Sequence, residues 1–386
     1  MARRALYVAT HAWTSPIRVG SQAIAAQFVQ KGWEVAYIAA PITPLHFLRP
    51  FDPQFVVRLR EHRLGGRRDM HGHLWHYVPF SWLAPSNRPF LRSEWLFHRW
   101  RYLTSPDLLS IVRREGFADV DLLIVDTIFQ PFWLDAVNYG RCVLRLSDYN
   151  AGFSGFGGGA EASEQLLLKK ADIVITASAG LREWALKRGA REALYIPNGI
   201  NSERFSDTRP ARPAEYENLK GSIAVFVGVI DEWVDLCLIE ACARALPEVN
   251  FVLIGPRKKN DLRKNFPENM HFLGMKAQAD IPAYLQHANV GLIPFQSKRC
   301  SSLIEHINPL KLYEYFAAGL PVVSTRWREL ENLHSPARLC ASSEDFLAAL
   351  KSALAEPGDV DEYRRYAKSV DWAVRLLPLF GWIDRQ

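Results

Sequence analysis

The sequence predicts an α/β protein made of two doubly wound domains, each a parallel sheet with helices on both faces. Three observations carry this. Short apolar runs alternate with helix-spaced stretches from the first residues. The same alternation starts afresh near residue 222. Between the two series lies SDTRPARPAEYENLKGS (206–222), polar and carrying Pro210 and Pro213. Strand-helix alternation calls for a parallel sheet, and a polar, proline-bearing segment marks a domain boundary.

The first series opens with ALYVATHAW (5–13), a strand, followed by SQAIAAQFVQKG (21–32), a helix stopped at Gly32. EVAYIAAP (34–41) is a second strand closed by Pro41. DLLIVDT (121–127), CVLRLSD (142–148) and DIVITAS (172–178) read as further buried strands. In the second series SIAVFVGVI (222–230), NFVLIGP (250–256), NMHFLG (269–274), VGLIPF (290–295) and PVVST (321–325) are extended. LCLIEACARAL (236–246), IPAYLQHA (281–288) and LKLYEYFAAG (310–319) have helical spacing. The expected division is 1–205, a linker at 206–221, 222–370, and a C-terminal helix over 371–386 that can return to the first domain. Two such sheets facing across a cleft place their strand C-terminal ends at that cleft, where open α/β sheets bind ligands.

At 386 residues the chain is long for one core and natural for two. Hydrophobic residues make up 48% and charged residues 23%, which is ordinary globular composition. No run approaches the ~18 apolar residues of a membrane span, and the apolar start is too short for a signal peptide, so a cytoplasmic protein is expected. The five cysteines (Cys142, Cys237, Cys242, Cys300, Cys340) are scattered without a CxxC pair, consistent with reduced thiols. The net charge of +6 is uneven: residues 1–205 hold 25 Lys and Arg against 18 Asp and Glu, and 58–114 alone hold 11 against 4. This excess suits an anionic partner of the first domain: a membrane surface, a phospholipid or an acidic glycan.

The most specific segment is INPLKLYEYFAAGLPVVST (307–325). Lys311 and Glu314 are three apart and share a helix face. Such a pair can grip a nucleotide, the lysine at phosphate oxygens and the glutamate at the two ribose hydroxyls; an exposed ion pair is the plainer alternative. PLKLYEYFAAGLPVV resembles the donor-binding signature of the GT-B glycosyltransferases. By that resemblance Glu314 binds the donor ribose and Lys311 faces its phosphates or sugar. Further pieces agree in order: IPNGINSERF (196–205) before the linker, FVGVIDEWVD (226–235) with Gly228 at a close approach, and NFVLIGP followed by Arg257. NMHFLGMKAQADIPAYLQHANVGLIPF (269–295), with Met275 and Phe295, resembles the nucleobase-binding loop and the strand behind it. The fold this implies is two Rossmann-like domains, the C-terminal one holding a nucleotide-sugar, UDP-linked by resemblance.

The retaining branch of that superfamily carries two glutamates eight positions apart. Here the earlier position is His306, with Glu305 one off register. The xanthan-type glucuronosyltransferases, an inverting group, are a better partial match. Their catalytic aspartate ends an Arg-x-Ser-Asp segment, matched here by Arg145-Leu146-Ser147-Asp148. The resemblance makes Asp148 the general base, and a carboxylate at a strand's C-terminal end suits that role; a turn cap is the alternative. It implies UDP-glucuronate as a donor and no cofactor or metal, the leaving diphosphate being neutralised by Lys311 and Arg257. Asp119-Val120-Asp121 formally matches a metal-binding DxD but stands at the start of a strand. His71, His73 and His76 cluster without paired-ligand spacing.

Residues 73–103 interleave tryptophans and arginines. Trp82, Arg92, Trp95, Arg99 and Trp100 are candidates for meeting a membrane-bound acceptor, since such residues favour the membrane-water interface. Core packing and a protein interface are the alternatives. No nucleic-acid-binding motif is present. The glycine-rich GFSGFGGGAE (152–161) reads as a mobile active-site loop or, less simply, a phosphate cradle. A two-domain sugar-nucleotide epimerase and a non-catalytic sugar-nucleotide or glycan binder remain as rivals to a transferase that builds cell-envelope polysaccharide on a lipid-linked or glycan acceptor.

Overall fold

The structure is a computed structural model. It describes residues 2–15, 19–86, 88, 90–153, 156–205, 210–257, 265–296 and 300–385. The start of the expected linker (206–209) and two residues of the glycine-rich stretch (154–155) thus lie outside the described residues. The chain forms two compact units, one of Met1–Pro197 with Leu376–Gln386 and one of Asn198–Arg375.

The first unit contains β1 (Arg4–Ala9), β2 (Glu34–Ile38), β3 (Arg67–Asp69), β4 (Leu74–Tyr77), β5 (Asp119–Asp126), β6 (Asn138–Leu146), β7 (Ile173–Thr176) and β8 (Ala193–Tyr195). They form one sheet in the order β3-β4-β2-β1-β5-β6-β7-β8, parallel except for the β3–β4 pair. The order turns back between β1 and β5. That reversal opens a crevice at the strands' C-terminal ends, the usual ligand position in such sheets. Ala5 to Ala9 are fully buried because helices cover both faces of the sheet.

Sequence reading missed β3 and β4. The Trp75 ring is fully packed, stacked between Tyr77 and Phe117. Its indole nitrogen would lie only 2.4 Å from a Cβ on Gly66, whose φ is +95°. Aromatics that look interfacial in sequence are here the inner side of a hairpin. At the far end of the same sheet, the Asp121 carboxylate accepts from the Arg4 amide at 2.7 Å and Asp119 accepts from Asn138 Nδ2 at 2.6 Å. The DxD string is thus spent on strand starts, at the opposite end of β5 from Asp126.

The C-terminal residues complete this unit. Phe380 packs on Phe28 with ring centres 5.0 Å apart, Arg141 donates to the Trp382 carbonyl at 2.8 Å, and Trp382 Nε1 donates to Glu192 at 3.1 Å.

The second unit contains β9 (Ile223–Val227), β10 (Asn250–Ile254), β11 (Met270–Gly274), β12 (Val290–Ile293), β13 (Val322–Thr325) and β14 (Arg338–Cys340). The sheet is wholly parallel, in the order β11-β10-β9-β12-β13-β14, with its reversal between β9 and β12. Residues 198–205, expected in the first domain, belong here, as do the described residues of the expected linker, whose Tyr216 is fully buried in this unit's core. The Asn198 amide and side chain donate to Asn308 at 3.1 and 2.8 Å, and Ser202 donates twice to Asp371 at 2.9 Å. Among the described residues, no helix is long and apolar enough to cross a membrane, and no group of three His, Cys, Asp or Glu is placed to hold a metal.

Candidate active site

In the second unit the site is built around the helix Leu310–Ala317. Its apolar positions Leu312, Tyr313, Tyr315 and Phe316 are buried, which leaves Lys311 and Glu314 together on the remaining face. Tyr315 fixes the helix on the sheet reversal: its hydroxyl accepts from the Val227 amide at 2.9 Å and donates to the Leu292 carbonyl at 3.3 Å. The ring lies so close to β12 that a Cβ on Gly291 would come within 2.4 Å of it. A buried network sets the helix start, where Tyr313 donates to Asn308 Oδ1 at 2.9 Å and Asn308 donates to Glu329 at 3.2 Å.

Lys311 therefore emerges at the C-terminal end of β9. Its ammonium lies over the Phe226 and Phe295 rings, 5.0 and 4.6 Å from their centres, and makes no ion pair within 4.0 Å among the described residues. A Cβ on Gly228 would stand 3.0 Å from Nζ. Gly228 also has φ +153°, and a Cβ on Gly255, φ +145°, would lie 1.9 Å from its carbonyl oxygen. The two strand exits thus meet at a closeness that only glycine permits. Burial pushes the Lys311 ammonium down to about 8, against the opposing pull of Glu314.

Glu314 is held through one oxygen. Gln278 Nε2 donates to Oε1 at 3.1 Å, and Arg204 Nη1 approaches the same oxygen at 4.0 Å. Arg204 Nη2 also donates to the Gln278 main-chain carbonyl at 2.7 Å, so the three residues are tied together. Burial pushes the Glu314 carboxyl up, and Arg204 pulls it down. Arg204 and Gln278 lie within the family-like segments 196–205 and 269–295 but are not among the residues the sequence predicts for the site. Their spacing from Glu314 is 110 and 36 positions, so no local pattern could have found them.

The other candidates in this unit differ in accessibility. Phe295 is only 3% exposed, stacks on Trp327 at 5.5 Å and forms the floor beneath Lys311, so it serves the site through that lysine. Met275 is 48% exposed, directly after β11. The loop it begins is anchored by Lys276 on Glu215, and Tyr284 donates to that carboxylate at 2.9 Å. The Lys276 hydrogen bond holds the Glu215 carboxyl at about 2. Arg257 follows β10 and bridges to Ile230, its guanidinium 5.1 and 5.0 Å above the Phe266 and Phe272 rings.

In the first unit, Asp148 is exposed just beyond the C-terminal end of β6, and its Oδ2 accepts from Ser147 Oγ at 2.9 Å. The arginine of the same segment turns inward. Arg145 donates to both oxygens of buried Asp126 at 3.0 and 3.1 Å, and Tyr7 donates to Asp126 at 2.8 Å. This triad ties the ends of β1, β5 and β6 and sets where Asp148 leaves the sheet. Burial pushes the Asp126 carboxyl up while Arg145 pulls it back.

The tryptophan-arginine segment splits by helical geometry. On Glu94–Arg99, Trp95 and Arg99 point outward one turn apart, with the guanidinium 5.8 Å over the indole. Trp82 is 65% and Trp95 54% exposed, and Arg92 is exposed. Trp100 is not a surface residue. It is 0% exposed, meets Phe132 edge-on at 5.1 Å and donates to the Phe129 carbonyl at 3.0 Å. It continues the inner face of Leu96 and Phe97, which is why it cannot meet an acceptor. The glycine-rich stretch is also partly structural. A Cβ on Gly159 would lie 2.7 Å from both the Arg92 carbonyl oxygen and the Phe97 ring, so this glycine permits helix packing. Of the three clustered histidines, His76 is buried 3.4 Å from Glu61.

Comparison with known proteins assigns each unit. The profile of the family described as "Glucuronosyltransferase GumK, N-terminal domain" matches residues 7–176, and that of "Glycosyl transferases group 1" matches 221–356. Each unit thus matches a glycosyltransferase family model, and the chain has the GT-B fold. A curated relative, described as a putative teichuronic acid biosynthesis glycosyltransferase, TuaH of Bacillus subtilis (strain 168), is 27% identical over 229 residues. The match covers 55% of this chain and 56% of the relative, so the chain spans about half the length of that protein. Two solved structures share the GT-B fold over nearly the whole chain. Sucrose-phosphate synthase from Thermosynechococcus elongatus has a TM-score of 0.68 at 15% identity, covering 98% of each chain. Anabaena HepE in complex with UDP and glucose has a TM-score of 0.65 at 14% identity, covering 100% of each.

Proposed function

We propose that this protein transfers a sugar from a UDP-sugar, with UDP-glucuronate a leading candidate, to a hydroxyl of a lipid-linked or glycan acceptor. The supporting observation is the Lys311–Glu314 couple: a half-buried ammonium without an ion-pair partner among the described residues, beside a carboxylate pinned by one oxygen, at the sheet reversal of the second unit. Lys311 receives the diphosphate, the free oxygen of Glu314 accepts the ribose hydroxyls, and Arg257 is a second cation for the phosphates. Met275 lies beside the nucleobase. The relative's printed role in teichuronic acid biosynthesis and the UDP held by Anabaena HepE support the donor and the polysaccharide setting.

Asp148 takes the acceptor proton as that oxygen attacks the anomeric carbon. The carbon's bond to the diphosphate breaks, UDP leaves with the bond electrons, and the configuration inverts. Preorganised cations can stabilise the departing diphosphate, so the reaction needs no metal ion. Exposed Trp82 and Trp95 with Arg92 and Arg99 make the first unit's contact with a membrane-borne acceptor, and put the protein at the inner face of the plasma membrane.

A panel of UDP- and GDP-sugars tests this reading by thermal shift and by slow donor hydrolysis. Stabilisation by UDP-sugars with release of UDP is expected. Indifference to every nucleotide-sugar would overturn it, and a free UDP-sugar isomer formed without acceptor would mark an epimerase instead.

A further inference from the structure

A small pocket in the first unit is lined by Thr10, His11, Ala12, Ser15, Gln54 and Arg58. Thr10 to Ser15 form the loop leaving β1, at the reversal of the sheet. Gln54 and Arg58 stand one turn apart on a single face of the helix Pro53–Arg63. Arg58 is fixed from behind: its Nη2 donates to the Ala40 and Pro41 carbonyls at 2.7 and 2.8 Å. Its Nε is buried and has no hydrogen-bond partner among the described residues. Among the described residues no carboxylate comes within ion-pair distance of it. Burial pushes the guanidinium down to about 10, and Glu61 and Asp52 act on it only through space. A buried guanidinium donor without an acceptor is costly, and its planar fork suits an oxyanion.

His11 shares the pocket. Burial and then Arg58 push its imidazole down, leaving it neutral near pH 7, while Asp148 pulls it up. β1, whose exit forms this loop, and β6, whose exit carries Asp148, flank β5 in the sheet, and the Asp148 charge acts on His11 through space.

We propose that this pocket binds an oxyanion carried by the acceptor, either the carboxylate of an acidic sugar or a phosphate ester. Arg58 supplies the charge, and Gln54 and neutral His11 supply hydrogen bonds. The inference rests on the glycosyltransferase reading for one point only: that the bound acceptor then offers its hydroxyl to Asp148.

The test uses the full chain with ¹⁵N-labelled arginine and follows the Arg58 Nε–H resonance, assigned by its loss in Arg58→Lys. Sodium glucuronate, inorganic phosphate and glucose are each titrated to about 10 mM, a range that captures millimolar affinity. A saturable displacement by glucuronate or phosphate, and none by glucose, is expected. Glucuronate acting alone identifies an acidic sugar, phosphate acting alone a phosphate ester, and both together a pocket selective for charge. Gln54→Leu leaves the Arg58 anchors untouched and should weaken binding roughly fivefold, the worth of one hydrogen bond. This variant carries the test if Arg58→Lys fails to fold. No displacement by either anion, or equal displacement by glucose, would overturn the proposal. UDP thermal shift in the same sample reads the donor site separately, so failure there leaves the pocket result intact.

Discussion

The Lys311 ammonium stands 3.0 Å from the point where a side chain on Gly228 would begin. The strand exit and the helix start are thus fitted to each other around one cation. Its charge is confined between two aromatic faces and the backbone turn after β9. An anion that displaces water there meets a donor already in place.

Gly228→Ala should weaken UDP binding by roughly tenfold, because the new methyl meets Lys311 and the φ of +153° strains any other residue. Isothermal titration with UDP measures the loss. An unchanged affinity would show that the close approach is unimportant to the donor.

UDP affinity should fall as pH rises through about 8. Free Lys311 titrates near that value, and a bound diphosphate raises it, so the complex holds more protons than the free protein above that pH. Affinity is then full below the free value and declines by up to about tenfold per pH unit until the bound lysine also deprotonates. The UDP phosphates are already ionised above about pH 7.5 and do not contribute. Lys311→Met should bind UDP weakly and show a flat profile from pH 8 to about 9.5.

Gln278→Ala and Arg204→Met should each release the Oε1 oxygen of Glu314. The expected result is a loss of preference for UDP over 2′-deoxy-UDP by about threefold to tenfold, with diphosphate binding retained. Competition titrations decide this. Equal loss for both nucleotides would mean that the pair supports the fold instead of orienting the carboxylate.

Asp148→Asn should reduce transfer by about 10²- to 10⁴-fold, the range for a general base. UDP affinity and thermal stability should stay unchanged, because the carboxylate is exposed and, among the described residues, accepts only from neighbouring Ser147. Normal transfer by this variant would remove Asp148 from the chemistry.

Trp100→Ala should destabilise the protein by about 3–5 kcal/mol, as large core truncations do. Trp95→Ala should cost under about 0.5 kcal/mol while weakening sedimentation with anionic vesicles. Chemical denaturation and vesicle co-sedimentation separate the two effects. If Trp95→Ala binds vesicles normally, this face is not the membrane contact.

The amino-acid order by itself determined the strand-helix alternation, its restart near residue 222, and the shared helix face of Lys311 and Glu314. Those are local matters, set by side-chain period and by turn residues. It could not sort Trp95 from Trp100, because both lie in one aromatic, basic run and only packing decides which ring faces the core. Nor could it pair Arg145 with Asp126, Arg204 with Glu314, or Arg58 with the loop after β1. Those contacts join residues far apart in the chain, and only burial makes them costly to leave unpaired. Periodicity reports what a segment prefers, whereas the chemistry of a site depends on which distant groups the fold brings together and how far it dries them.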